Sequence, residues 1–298
     1  MTDSDRHDND GAVPDYIVSD NTLLSDNAVV DDTNLLIDRR YLTQVQYRTE
    51  ANLAARQSIY AYQQPRIDLV ATVLDLAGLT GTETVADIGC GNGIYLAGLA
   101  RSGHAGRVLG ADLSPGMLAA ARAAAPRCGL AVGDATALPL ADGVADVTLA
   151  PHMLYHVPDR PAAVREFRRI TRPGGRVLVV LNHPDHLTEM RALLIAAAAE
   201  VGLSAARVGA DYDAALKVTL DFGAELLAQE FGSVRRHDFV AELVLPGTEP
   251  LASYVESMRV FQAMPDPAAF AAAVAAMVPL RPDGTFRITT HCGLLIGS

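Results

Sequence analysis

The run Asp87-Ile88-Gly89-Cys90-Gly91-Asn92-Gly93 has residue types and spacing suited to holding a polar ligand against main chain. An acid falls within a short apolar stretch, and three glycines follow at alternate positions. Because glycine lacks a Cβ atom, a ligand can lie directly on the backbone N–H groups of such a turn. Apolar residues from 94 to 100 then recur with helical spacing. The pattern predicts a strand, a ligand-binding glycine turn and a helix.

Two further acids accompany this turn. Asp112 and Asp134 each end a short apolar run that we interpret as the next two strands. In an open α/β sheet both would lie at the carboxyl ends of parallel strands, where ligands bind. A dinucleotide site would require a third glycine at Ile94, so that fingerprint fails by one residue. The remaining alternative is that the three acids are solvated turn residues.

The glycine run, the Gly133-Asp134-Ala135 turn and the segment R-P-G-G-R-V-L from Arg172 resemble the class I S-adenosylmethionine-dependent methyltransferases. The resemblance covers about residues 84 to 182. It implies that Asp112 binds the ribose hydroxyls and Asp134 the adenine amine, since a carboxylate accepts two charge-assisted hydrogen bonds. It further implies S-adenosyl-L-methionine as the cofactor, held by Tyr47, Arg56, Asp87, Gly89, Gly91, Asn92, Gly93, Asp112, Leu113, Met117, Gly133, Asp134, Ala135 and Pro151.

Methyl transfer depends on alignment and water exclusion, and a base is needed only when the nucleophile holds a proton. In the resembled family, the loop after the fourth strand presents the methyl group to substrate. The candidate catalytic or orienting residues there and after the fifth strand are His152, Tyr155, His156 and His183. Alternatively, these are loop histidines that bond locally, or positions 152, 156, 183 and 185 gather a metal. The glutamate of an H-E-x-x-H site is missing, and we expect no metal.

Alternating strand and helix patterns predict a Rossmann-like, doubly wound α/β fold. We expect a mostly parallel seven-stranded sheet with an antiparallel last strand. The resemblance implies that the N-terminal helices form a cap over the cofactor and that the helical insertion is a substrate lid. The predicted divisions are a disordered or loosely docked acidic tail (1–34), the cap (35–78), the cofactor-binding core (79–186), the substrate lid (187–236) and the remainder of the sheet with a helical insertion (237–298). Tyr47, Arg48 and Arg56 lie in the cap, which could instead be an ordinary amphipathic packing helix.

Composition limits the function classes. The 298 residues carry a net charge of −11, and lysine and arginine form no stripe suited to nucleic acid. Three cysteines without a C-x-x-C pair, and no apolar run of membrane-spanning length, favour a cytoplasmic protein. Together with the resemblance, this leads us to expect a monomeric or homodimeric methyltransferase for a small molecule, without nucleic-acid or membrane partners. The alternatives are a cofactor-binding protein that does not methylate and a peptide-modifying methyltransferase.

Overall fold

Eight strands form a single sheet in the computed structural model of the protein, which describes residues 37–298 except 207, 210–216, 259–260 and 262–263. The predicted acidic tail, residues 1–34, lies outside the described residues. The strands are β1 Gln63–Gln64, β2 Val85–Ile88, β3 Val108–Asp112, β4 Gly129–Val132, β5 Ala145–Pro151, β6 Thr171–Asn182, β7 Val234–Pro246 and β8 Thr285–Gly297.

The strand order is β1-β7-β8-β6-β5-β2-β3-β4. Strands β2 to β6 pair in parallel, and β8 is antiparallel to both β6 and β7. This confirms the predicted mostly parallel sheet with an antiparallel last strand. The sequence analysis missed β1, a two-residue edge strand antiparallel to β7. Two adjacent glutamines carry no alternation of apolar and polar residues, so no pattern marked them as a strand.

Nine α-helices of eight or more residues alternate with or follow these strands in the described chain. They are α1 Ala51–Ser58, α2 Leu69–Leu76, α3 Ile94–Arg101, α4 Pro115–Ala124, α5 Arg160–Ile170, α6 Thr188–Glu200, α7 Leu220–Ala228, α8 Glu249–Glu256 and α9 Pro267–Met277. Ser114 caps α4 by accepting a hydrogen bond from the Met117 N–H, and Pro115 occupies its first turn, as the sequence predicts. In the described part of the chain, no helix is long and apolar enough to cross a membrane.

The sheet is covered on both faces because side chains alternate along each strand. On β6, Val177, Val179 and Leu181 belong to a core shared with α5 and α7. Leu178 and Val180 point the other way and pack with α2 and α3. This layering leaves the carboxyl ends of the central strands free to line a ligand site.

A second apolar core lies beside the sheet and joins parts that are distant in sequence. Ile59, the residue after α1, packs with helices α6, α8 and α9. They lie against Leu243 and Leu245 of β7 and Phe286 and Ile288 of β8. Within the predicted lid, therefore, α6 belongs to this outer core, whereas α7 packs on the sheet. Ile59 and the helices α8 and α9 therefore share one apolar core beside β7 and β8.

Candidate active site

A cavity of about 600 Å³ lies at the carboxyl edge of β2, β3, β5 and β6. Residues 37–62, called the N-terminal segment below, and helix α8 cover it. This volume is in the range of small-molecule pockets, about 300–1,000 Å³. Of the predicted cofactor and catalytic residues, the following line it: Tyr47, Arg56, Gly89, Gly91, Asn92, Asp112, Leu113, Met117, Gly133, Asp134, Ala135, Pro151, His152, Tyr155, His156 and His183. One cavity thus brings together both predicted groups.

The glycine turn brings its backbone to the cavity wall. Gly89 has φ +68°, and a Cβ atom there would lie 2.7 Å from the Met153 Cβ. Gly91 has φ +54° and donates its N–H to Asp112 Oδ2 at 2.9 Å. Both positions need glycine, because L-residues rarely adopt such φ values and Gly89 has no room for a side chain. Main-chain atoms therefore line this end of the cavity.

Two backbone hydrogen bonds hold the Asp112 carboxylate in place. Its two oxygens accept hydrogen bonds from the N–H groups of Gly91 and Ser114, at 2.9 and 2.8 Å. Burial raises the pKa of Asp112, while these hydrogen bonds oppose the rise. Each carboxylate oxygen keeps a second lone pair, so Asp112 can still accept hydrogen bonds from a vicinal diol.

Asp134 is already paired with a cation. Its Oδ1 accepts hydrogen bonds from the N–H and hydroxyl of Thr136, at 2.8 and 2.6 Å. Its Oδ2 forms an ion pair with Arg39, which lies at the start of the described N-terminal segment and also lines the cavity. An adenine amine at Asp134 would therefore compete with Arg39 or share the carboxylate with it.

Two predicted cofactor residues do not line the cavity. Asp87 is fully buried in the central strand β2, and neither carboxylate oxygen has a partner among the described residues. Burial and the neighbouring Asp112 raise its pKa well above the usual range. Gly93 instead packs helices together, since a Cβ atom there would lie 2.9 Å from the Ala121 Cα. The structure thus places both residues behind the ligand-facing surface.

The N-terminal segment closes one side of the cavity. Ser114 donates its hydroxyl to the Tyr47 carbonyl at 2.7 Å, and the Tyr47 hydroxyl lies 2.9 Å from His156 Nε2. Arg56 donates to the Ser257 carbonyl at 3.0 Å, immediately after α8. These bonds fasten the segment to α4, to the loop after β5 and to the C-terminal insertion.

His152 has the most unusual backbone of the candidate catalytic residues. Its φ of 54° lies in the left-handed region, which costs about 1–2 kcal/mol for a non-glycine residue. Its backbone N–H donates to the Val180 carbonyl at 2.9 Å, and its ring has no hydrogen-bond partner among the described residues. The strained turn aims an imidazole with open nitrogens at the cavity, a feature that often marks a functional position.

His183 lies in a cluster with Asp185 and His291, whose potential ligand atoms all fall within 4.8 Å of one another. The His183 and His291 rings stack at 3.9 Å with an interplanar angle of 18°. Metal ligation uses in-plane nitrogen lone pairs, and those of stacked rings run parallel instead of converging. His291 Nε2 also lies 2.9 Å from Asp238 Oδ1, and the Asp185 N–H donates to His183 Nδ1 at 3.2 Å, so one nitrogen of each ring is already engaged. His152 and His156 are not part of it.

Several polar residues of the cavity wall were not assigned from the sequence, among them Tyr60, Tyr95, His186 and Asn182. The Tyr60 hydroxyl lies 3.0 Å from His186 Nε2. Asn182 Oδ1 and the Tyr95 hydroxyl are buried without a partner among the described residues. Buried polar atoms are normally hydrogen-bonded, so these two atoms fit a site that is completed by a ligand. The position of Asn182 at the end of β6 was the one signal in the sequence that could have identified it.

Burial lowers the pKa of His152 to about 4 and that of His186 to about 3. An imidazole that titrates near pH 6.5 when unfolded but stays neutral when folded removes stability as the pH falls below 6.5. At about 1.4 kcal/mol per pH unit for each group, we expect the two to lower the free energy of unfolding by about 2–4 kcal/mol between pH 6.5 and 5.

Urea denaturation at several pH values measures this effect. The variants His152→Asn and His186→Asn should each show a shallower pH dependence than the parent chain. Unchanged slopes in both cavity variants would show that neither histidine is held neutral by the fold.

The comparisons with known proteins agree with this geometry. Residues 86–179 match the model of a methyltransferase domain. A demethylmenaquinone methyltransferase of Mycolicibacterium paratuberculosis is 39% identical over 127 residues, 38% of this chain and 54% of the relative. An uncharacterized 37.1 kDa protein in a Streptomyces fradiae transposon is 38% identical over 119 residues, 39% of this chain and 34% of the relative. The chain thus spans about half the length, or less, of these curated relatives.

Solved structures extend the similarity over the fold. A protein of Anabaena variabilis, described as a methyltransferase of an antibiotic biosynthesis pathway, has a TM-score of 0.57 at 17% identity, covering 77% of this chain and 96% of its own. The YcgJ protein of Bacillus subtilis has a TM-score of 0.51 at 18% identity, covering 76% and 96%. At such low identity the likeness shows the fold alone.

Proposed function

We propose that this chain, whose residues 86–179 match the model of a methyltransferase domain, is a class I methyltransferase that transfers a methyl group from S-adenosyl-L-methionine to a small molecule. The observation that carries the proposal is the single cavity shared by the Gly89–Gly91 turn, Asp112 and His152. A donor bound on the turn and an acceptor beside His152 would occupy one enclosed space. Such proximity is the main requirement of an in-line displacement.

The residues present fit the cofactor. Asp112 would accept the ribose hydroxyls, and Gly89 and Gly91 leave the backbone open to the amino-acid end. The sulfonium supplies an electrophilic methyl group, so the protein needs no covalent intermediate. The chain's own residues bind, orient and exclude water: the segment around Tyr47 covers the cavity, and its bonds to Ser114 and His156 keep it in place.

We assign the contact with the acceptor to His152. Its ring nitrogens are open, whereas His156 is engaged with Tyr47 and His183 stacks on His291. A pKa of about 4 makes His152 a weak base that is neutral at physiological pH. It can therefore accept a hydrogen bond from an acceptor hydroxyl, and we expect a contribution near the lower end of general-base catalysis, about 10²-fold in kcat.

A small molecule suits the cavity better than a peptide does. The space is roofed by the N-terminal segment and α8, through the Arg56–Ser257 and Tyr47–Ser114 bonds. The relatives named demethylmenaquinone methyltransferases act, by that name, on a small molecule, which supports the same class here. The proposal also includes a cytoplasmic monomer or homodimer that does not bind nucleic acid, supported by the net charge of −11 and by three free cysteines.

The test combines binding and turnover. We expect the purified chain to bind S-adenosylmethionine in calorimetry and to release S-adenosylhomocysteine only when a suitable acceptor is added. His152→Ala should lower kcat about 10²-fold while cofactor affinity is preserved. Tight cofactor binding with no product across broad metabolite mixtures would favour the alternative of a protein that binds the cofactor without methylating.

A further inference from the structure

The part of the cavity beyond His152 is polar and, among the described residues, offers a cation no free carboxylate. The acids of the described lining are Asp112 and Asp134, and the cations are Arg39 and Arg56. Asp134 is paired with Arg39, and the cofactor ribose would occupy Asp112. Arg56 donates to the neutral Ser257 carbonyl and keeps its positive charge. A cationic acceptor would therefore lose its hydration without gaining an opposite charge, which is costly in a buried site.

A chain of two hydrogen bonds leaves the Tyr60 hydroxyl as a hydrogen-bond donor to the cavity. His186 Nδ1 accepts the N–H of His291 at 3.1 Å, so the proton of the neutral ring lies on Nε2. Nε2 then donates to the Tyr60 hydroxyl oxygen, 3.0 Å away. Since His186 stays neutral and burial raises the pKa of Tyr60 well above 10, this arrangement persists at physiological pH. The hydroxyl proton of Tyr60 is left to donate to another group.

Asn182 offers the complementary group. It ends β6 beside Cys292 of β8, and both residues line the cavity. Its side-chain Oδ1 is buried and accepts no hydrogen bond from the described residues. An unsatisfied buried acceptor costs about 1–3 kcal/mol, which a donor on a bound molecule would relieve.

We propose that Tyr60 and Asn182 select a neutral acceptor molecule that carries both a hydrogen-bond-accepting oxygen and a hydroxyl group. Tyr60 donates to the accepting oxygen, Asn182 accepts from the hydroxyl, and His186 is the positioning residue that holds Tyr60. The inference rests on the proposed function for the place of the acceptor, and it names the chemical class of that acceptor. Protonated amines are selected against because the wall supplies them no counter-charge.

Binding in the presence of S-adenosylhomocysteine tests this without requiring turnover. The probes are meta-hydroxyacetophenone, acetophenone and benzylamine, which share one ring and differ in charge and hydroxyl content. The meta hydroxyl cannot bond to its own carbonyl, so both groups are available to the protein. We expect meta-hydroxyacetophenone to bind at least about tenfold more tightly than benzylamine. Tyr60→Phe should weaken the binding of both ketones by about 2–13-fold, the effect of a hydrogen bond of ordinary strength. Asn182→Leu should weaken only the hydroxylated ketone.

Tyr62→Phe is the matched control, because Tyr62 is exposed two residues away and lies outside the cavity lining. It should leave all three affinities unchanged. The inference is overturned if benzylamine binds as tightly as the neutral ketones, if Tyr60→Phe has no effect, or if neither ketone binds up to its solubility limit. If Tyr60→Phe or Asn182→Leu weakens the binding of every probe by the same factor, the variant has lost packing in general. That result would also contradict a specific pairing with the acceptor.

The two proposals can fail separately. If the ketones show the expected pattern but no neutral hydroxylated compound is ever methylated, the selectivity stands and the methyltransferase function fails. If the chain methylates an amine, the function stands and the selectivity fails. If S-adenosylhomocysteine does not bind at all, only the cofactor part of the proposed function fails.

Discussion

Replacing Asp112 with alanine should weaken binding of S-adenosylmethionine by about 100-fold or more. Two hydrogen bonds from ribose hydroxyls to a carboxylate contribute about 1.5–3 kcal/mol each, and their loss converts to at least two decades in Kd. The substitution also frees the N–H groups of Gly91 and Ser114, so the glycine turn loses its anchor. Calorimetric titration of the purified variant measures the effect.

Asp134→Ala should have a smaller effect, because Arg39 already occupies one oxygen of that carboxylate in the parent chain and the adenine amine gains less from it. Asp112→Asn keeps the shape of the side chain and should fall between the parent and the alanine variant. Asp75→Ala, at an exposed position of α2, is the control for loss of one negative charge. Cofactor affinity of Asp112→Ala within about threefold of the parent would contradict the assignment.

The sheet and the glycine turn could be predicted because their signals are local. Val85 to Gly93 carries the strand, the turn and the start of the helix in nine residues, and Ser114-Pro115 marks the next helix start. The direction in which Asp87 points could not be predicted. Strand β2 is covered on both faces, so neither face of an alternating strand is marked as the one open to ligand.

The rest of the site depends on contacts between distant parts of the chain. Tyr60 meets His186 across 126 residues, and Arg56 meets Ser257 across 201. The pairing of Arg39 with Asp134 joins the N-terminal segment to the end of β4 in the same way. A periodic pattern indicates that a helix such as α1 has a buried face, but it does not show which residue each polar side chain contacts.

The docking of the N-terminal segment on α4 depends on a single glycine, and its loss should disable the site. Gly116 is the second residue of α4, and a Cβ atom there would lie 2.0 Å from the Arg48 carbonyl oxygen and 2.8 Å from its carbon. Backbone atoms cannot rotate away as a flexible side chain can. In Gly116→Ala the segment at residues 47 and 48 must therefore move off the helix.

We expect Gly116→Ala to lower methyl transfer by about 100-fold, the effect of misplacing a site by about 1 Å. The helix itself should not suffer, since alanine favours a helix over glycine by about 1 kcal/mol. Trypsin should also cleave faster after Arg48, because the segment no longer lies against α4. Gly232→Ala is the matched control: its Cβ atom would meet only the Ser298 carbonyl oxygen, at an ordinary 3.7 Å. If Gly116→Ala keeps full turnover and Arg48 stays equally protected, closure by this segment is not required for catalysis.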